Sequence, residues 1–236
     1  MAYRYVAAFL LLGTLGACRN QPDKQPAPEY ADWYAIKAPE ARAIEAVTGD
    51  IDGTLIITTR FNIYRTTDRG KTWAVSQPSN LGIFGFVTHR DTLFTLTGGL
   101  GSIADSTTAY AGHPTDYSAD QGRTWQHYQF KQSTVAFANA RVPLNRVRTP
   151  SGADYRIAIE RDPISASSAY IYTTGIQGPA GPPITLPQEH QLNSIYLDSK
   201  ARLYVAASAP LCGRGKNFAF CGEQNGVLYV SKKPLP

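Results

Sequence analysis

The chain has 236 residues, 43% of them hydrophobic, and carries 23 Lys and Arg against 18 Asp and Glu for a net charge of +5. That length and apolar fraction suit one domain with a sizeable core. The basic residues are scattered, with no block of five or six like charges, which excludes a nucleic-acid-binding stripe.

The first element is at the N-terminus. Arg4 opens a short positive region, Val6 to Leu15 is apolar except for Gly13 and Thr14, and Leu15-Gly16-Ala17-Cys18 ends the run in small residues. The stretch is too short for a spanning helix and reads as a secretory signal over residues 1–17. Leu15 to Cys18 resembles the lipobox of bacterial lipoproteins. The resemblance implies cleavage before Cys18 and attachment of lipid, palmitate included, to that residue. Two or more acyl chains anchor stably where one does not. Arg19 follows instead of Asp, which in that family implies the outer membrane, facing the periplasm. Loss of residues 1–17 removes Arg4 and no acid, so the balance stays mildly basic. Residues 18–29 continue as a tether with three prolines, semi-extended and poor in apolar side chains. The globular domain is residues 30–236.

Within that domain the signals are those of strands. Asp32 to Pro39 reads as an outer strand without inner partners. Pro39 to Val47 is the one helical candidate, too short to be more than a turn leading into a strand. Then come TLIITT (54–59), IFGFVT (83–88), TLFTLT (92–97), YRIAI (155–159), AYIYT (169–173) and RLYVA (202–206). Each is rich in β-branched or aromatic residues and bounded by Gly, Pro, Asp or Ser.

Two octets punctuate these strands, Thr66 to Trp73 and Ser118 to Trp125, both S/T-x-D-x-G-x-T-W. Asp68 and Asp120 each head a tight turn and accept backbone N–H bonds from just ahead. Gly70 and Gly122 supply positive φ without a Cβ clash. Trp73 and Trp125 bury a large ring against a neighbouring layer. The octets resemble the Asp-box, or bacterial neuraminidase repeat, of certain β-propellers. Tyr64, Tyr117, Tyr172 and Tyr229 recur at intervals of 53, 55 and 57 residues, marking a β-meander repeated four times. In the third copy the box is reduced to Thr173-Thr174-Gly175, with Pro183 to Pro187 as the fourth strand. The fourth copy lacks a box and ends before its last strand. The expected fold is therefore all-β: a small four-bladed propeller closed by pairing of the Trp33 strand with the C-terminal blade, which hides both edges. Five shorter blades are the main alternative.

Candidate chemistry is sparse. Cys212 and Cys221 allow one pairing in an exported chain, stapling Gly213 to Phe220 for about 2–3 kcal/mol. No metal or cofactor is expected. His89, His113, His127 and His190 form no ligand motif and read as surface or turn residues. One Asp per octet is explained by backbone capping and falls short of a calcium site. Resemblance to Asp-box proteins brings sialidases to mind, but the family's boxes lie away from its active site. Its arginine motif is matched only by Tyr155-Arg156-Ile157-Ala158, without the proline. What remains is surface: an insert from Gly98 to Asp116 holding Tyr110 and His113, and a basic cluster including Arg146, Arg148 and Arg161. The expected function is a lipid-anchored envelope propeller that binds another protein without catalysis. It would serve as an immunity or inhibitor lipoprotein against a periplasm-acting toxin, or as an assembly scaffold. Carbohydrate binding or sialidase-like hydrolysis is the alternative.

Overall fold

A computed structural model of the chain describes residues 29–101, 108–129, 140–161 and 171–236; the signal region, Cys18 and the tether to residue 28 lie outside them. The described chain opens with β1 (Trp33–Lys37). Blade 1 follows as β2 (Ala46–Gly49), β3 (Leu55–Thr58), β4 (Asn62–Thr66) and β5 (Ala74–Pro78). Blade 2 is β6 (Gly85–His89), β7 (Thr92–Gly101) and β8 (Ala109–Ser118), with β9 (Gln126–His127) and β10 (Val142–Pro143) both paired to β8. Blade 3 is β11 (Arg146–Arg148), β12 (Asp154–Arg161) and β13 (Ile171–Gln177). Blade 4 begins with β14 (Leu192–Leu197) and β15 (Arg202–Ala207). A small hairpin of β16 (Leu211–Gly213) and β17 (Ala219–Phe220) then precedes β18 (Val227–Pro234).

β1 supplies the missing strand of blade 4. It pairs antiparallel with β18, from Trp33 opposite Ser231 to Lys37 opposite Val227. The inner strands adjoin around the axis: β2 lies against β14 and β6, and β11 against β14. The chain is a four-bladed β-propeller, closed as its sequence implies. The four spaced tyrosines fall on β4, β8, β13 and β18, the third position of each blade. Pro39 to Val47 forms no helix; it is a loop running into β2.

Period-two alternation decides where each side chain goes. On β15 and β18, Leu203, Val205, Ala207, Val227 and Tyr229 face blade 3, joined there by Trp33, Tyr155, Ile157 and Ile176. Tyr204, Ala206, Leu228 and Val230 face blade 1, where Ile36, Val47, Leu55 and Ile57 meet them. A third cluster, Ile56, Ile63, Phe86 and Leu93 with Trp125, joins blades 1 and 2.

Both octets form the expected turn. Asp120 Oδ1 accepts from Arg123 N at 3.0 Å, Thr124 N at 2.9 Å and Ser118 Oγ at 2.8 Å, and Oδ2 accepts from Thr124 Oγ1 at 2.7 Å. Asp68 makes the matching bonds to Thr72 and Thr66. The Thr72 hydroxyl leads in holding the Asp68 carboxyl down at about 2. Gly70 and Gly122 have φ of 77° and 75°. A Cβ on Gly70 would run into Ile36 of blade 4, and one on Gly122 into Ile56 of blade 1. Each box therefore seats its turn on the preceding blade. The shrunken third box is a misreading: Thr173 to Gly175 lie inside β13, and the turn that follows begins after Gln177.

On the same side, one ionic cluster locks blade 4 to blade 1. The buried Asp198 carboxylate accepts from Arg202 Nε at 2.7 Å and Tyr204 OH at 3.0 Å. Arg202 reaches across to Asp52 at 2.7 Å and to Asp50, while Lys200 and Arg69 also bind Asp52. The Tyr204 hydroxyl accepts from Ile51 N at 2.9 Å.

Replacing Arg202 by Met is expected to lower stability by about 3–5 kcal/mol, because Asp198 is left buried without its counter-charge; the midpoint of urea unfolding reads this. Gly122→Ala is expected to lower stability by about 1–3 kcal/mol through strained φ and collision with Ile56. Gly53→Ala, where nothing stands within 4 Å of an added Cβ, should be close to neutral in the same assay.

Candidate partner-binding face

Antiparallel connections alternate ends, so the propeller has two unlike faces. One carries the Asp-box turns and the tight turns between the first and second strands of each blade. The other, called here the loop face, carries the connections between second and third strands and the crossings from blade to blade.

The loop face gathers the exposed apolar side chains. Seven large hydrophobics are exposed among the described residues. Six of them, Phe61, Leu81, Ile159, Ile171, Phe218 and Phe220, stand on loop-face connections or strand ends, and Val75 on β5 is the exception. Arginines lie over aromatic rings on this face: Arg42 over Phe61 at 5.5 Å and Arg60 over Phe84 at 5.3 Å. Arg60 also sits 3.6 Å from Glu45, whose carboxyl is pushed up by burial and pulled back by that arginine.

Between blades 3 and 4 the loop face opens into a cleft of ≈ 250 Å³. One wall is Thr173, Thr174 and Gly175 of β13. The other is the crossing from Thr185 through Gln188, Glu189 and His190 to Leu192. Pro183 and Pro187 flank this crossing and carry no N–H. As a result, the expected fourth strand of blade 3 shrinks to a single bridge, Ile176 with Ile184. Thr173 Oγ1 forms the floor, donating to His190 O at 3.0 Å and accepting from Leu192 N at 2.8 Å.

The hairpin of β16 and β17 stands over the mouth. The Cys212–Cys221 disulfide, with Cα atoms 5.0 Å apart, closes it as the sequence implies. Leu211 N ties it to Glu189 O at 2.8 Å. Arg214 pairs with Glu189 at 3.1 Å and lies over the Tyr172 ring at 5.3 Å, bridging blade 4 to blade 3.

His190 corrects the expectation that all four histidines are surface or turn residues. It is buried, with Nδ1 2.8 Å from Ser208 O and Nε2 2.9 Å from Tyr229 OH. A carbonyl can only accept, so Nδ1 carries the proton and Nε2 accepts from the tyrosine. Burial lowers its proton affinity below that of an ordinary histidine. His89, His113 and His127 are exposed, as expected.

The proposed insert from Gly98 to Asp116 is largely strand: β7 continues to Gly101 and β8 begins at Ala109, and residues 102–107 lie outside the described residues. Tyr110 pairs opposite Pro143, and His113 sits on β8 with φ of 61°. Asn145, just before β11, bonds Ala109 N at 3.0 Å, so Tyr110 and the start of the basic cluster are neighbours. Within the cluster Arg146 grips Asp154 at 2.6 Å, Arg148 Nε donates to Gly152 O at 3.1 Å, and Arg156 stands opposite Arg146. Arg161 ends β12; its side chain lies outside the described residues. Among the described residues no group of three or more metal-ligating side chains converges.

No family model matches the chain, and no curated protein does. Among solved structures, it is similar to YCF48 bound to D1 peptide, at 14% identity and a TM-score of 0.35, covering 87% of this chain and 98% of that one. It is also similar to the extracellular domain of a one-component system from B. thetaiotaomicron, at 13% identity and a TM-score of 0.27, covering 77% of this chain and 28% of that one. Both likenesses are too distant to bear on function.

His190 is expected to titrate below its ordinary value of about 6.5, which NMR of its ring protons in the folded chain reads. The sign follows: the unfolded chain takes up a proton that the folded one refuses. Stability should therefore decline as pH falls below about 6.5 and level off once the folded value is passed. His190→Gln should remove that part of the pH dependence.

Proposed function

We propose that the chain is a non-catalytic propeller that binds another protein through its loop face. The observation that carries this is the concentration there of six exposed large apolar side chains, opposite a face closed by Asp-box turns and ion pairs. Arginine-capped phenylalanines and a hairpin stiffened by a disulfide are the rigid anchors expected of an interface, where aromatic and arginine side chains dominate the energy. In the same proposal Cys18 carries lipid and holds the domain to the outer membrane, facing the periplasm. There it acts as an immunity or inhibitor lipoprotein against a periplasm-acting toxin, or as an assembly scaffold. Carbohydrate binding or hydrolysis is the second reading, favoured by the hydroxyl and amide lining of the cleft.

The test is capture from the envelope fraction with the full chain as bait. A protein retained by the wild type should be lost, with affinity reduced at least about 30-fold, when Leu81→Asp and Phe218→Asp are combined. It should be kept by Val75→Asp, which places the same charge away from the loop face. Equal retention by all three, or turnover of sialosides or peptidoglycan by the purified chain, would overturn the proposal.

A further inference from the structure

Among the described residues, blade 3 is the one blade with no strand paired to the outer side of its third strand beyond a single bridge. Blades 1 and 4 end in β5 and β1, and blade 2 in β9 and β10. Beyond β13, among the described residues, Ile184 forms the one main-chain bridge back, exchanging N–H···O contacts with Ile176 at 2.8 and 2.9 Å, and Thr173 is held through its side chain by His190 and Leu192. From there the chain leaves the sheet. Gly175 is the point of closest approach, where a Cβ would stand 2.5 Å from Ile184 O. Past it the crossing diverges, and the cleft opens along Thr174 and Thr173.

Building on the reading of the loop face as protein-binding, we propose that an extended segment of the partner enters this cleft and adds to β13 as the outer strand of blade 3. Main-chain hydrogen bonds to a sheet edge give affinity without demanding a sequence, and alternate side chains give the selectivity. The lining states the segment's chemistry. Thr174, Thr185 and Gln188 offer neutral hydrogen-bonding groups, while Leu186 and Leu192 offer apolar contact. The lone acid, Glu189, is engaged by Arg214. Such a lining favours an uncharged strand with β-branched or apolar residues at every second position, and the exposed Ile171 extends the apolar side at the mouth.

The probe is a phage-displayed random dodecapeptide library panned against the full chain in detergent. Enriched peptides are then synthesised and measured by calorimetry. The expected result has two parts. Thr185→Trp and, separately, Gln188→Trp fill the cleft from exposed positions and lower peptide affinity at least tenfold, with urea midpoints matching the wild type, whereas Val75→Asp, away from the loop face, changes nothing. N-methylation along the peptide lowers affinity at least tenfold at alternate positions of one parity only. The proposal is overturned if no peptide is enriched, if both Trp variants bind normally, if N-methylation shows no parity, or if an array of saccharides is retained in place of peptides. Should Leu81→Asp with Phe218→Asp abolish partner capture while Thr185→Trp leaves it intact, the loop face stands and the added strand falls. Should the surface variants leave capture unchanged, the broader reading itself falls.

Discussion

The fold depends on one non-local contact, β1 against β18. The partners are separated by nearly the whole domain, and joining the ends of a chain of that length costs about 4–5 kcal/mol on logarithmic loop-closure scaling. The return is of similar size. Trp33 and Ile36 are buried by the contact, and each such side chain contributes about 1.5–3 kcal/mol. The contact alone would therefore be near balance. It becomes decisive because β1 also completes the two cores on either side of blade 4, Trp33 toward blade 3 and Ile36 toward blade 1. Asn193 and Ser194 add bonds across the same blade boundary, to Ile44 O at 2.9 Å and Glu45 O at 2.7 Å. Closure and packing are thus one cooperative event, and an unclosed chain would expose both faces of blade 4 together.

The two ends of the propeller divide the labour that follows. On the box side, polar groups are consumed by local or neighbouring partners: the Asp-box carboxylates by their own turns, and Asp198, Asp50 and Asp52 by Arg202 and Lys200. A carboxylate held by several donors has little left to offer a ligand. The loop side has longer connections, more exposed apolar surface and the open cleft. Longer loops on a rigid scaffold are where binding residues are placed without disturbing the core.

Much of this was legible in the sequence because it rests on local rules. Alternation over RLYVA assigns Leu203 and Val205 to one core and Tyr204 to another, and the octets specify their turns residue by residue. The rest depends on what lies opposite. Nothing beside His190 announces Ser208 O and Tyr229 OH, contributed by two other segments, so a lone histidine reads as surface. Thr173-Thr174-Gly175 has turn composition, yet pairing with β12 holds it as strand through a shift in register beside Ile159. Gly98 and Gly99 look like a loop, but long strands β7 and β8 pair across them, Gly98 opposite Gly112 and Gly99 opposite Ala111. The ionic cluster draws on residues 50–52, 69 and 198–202, so its members are far apart in sequence.

Why blade 3 holds together with a single bridge as its outer pairing among the described residues follows from where its apolar surface goes. Its buried residues Tyr155, Ile157 and Ile176 belong to β12 and β13 and pack toward blade 4, while Ile184 and Leu186 are only partly buried. The inner strands therefore hold the core, and an outer strand would add little apolar burial. An open edge normally invites sheet-to-sheet aggregation. Here Pro183 and Pro187 interrupt the segment beside it, and the disulfide hairpin with Arg214 stands over the approach, narrowing access to something thin and extended. The cost of giving this edge no more than a single bridge among the described residues is small, and the guard around it is selective. Those two conditions let a sheet edge persist in a stable fold while remaining available to a single incoming strand.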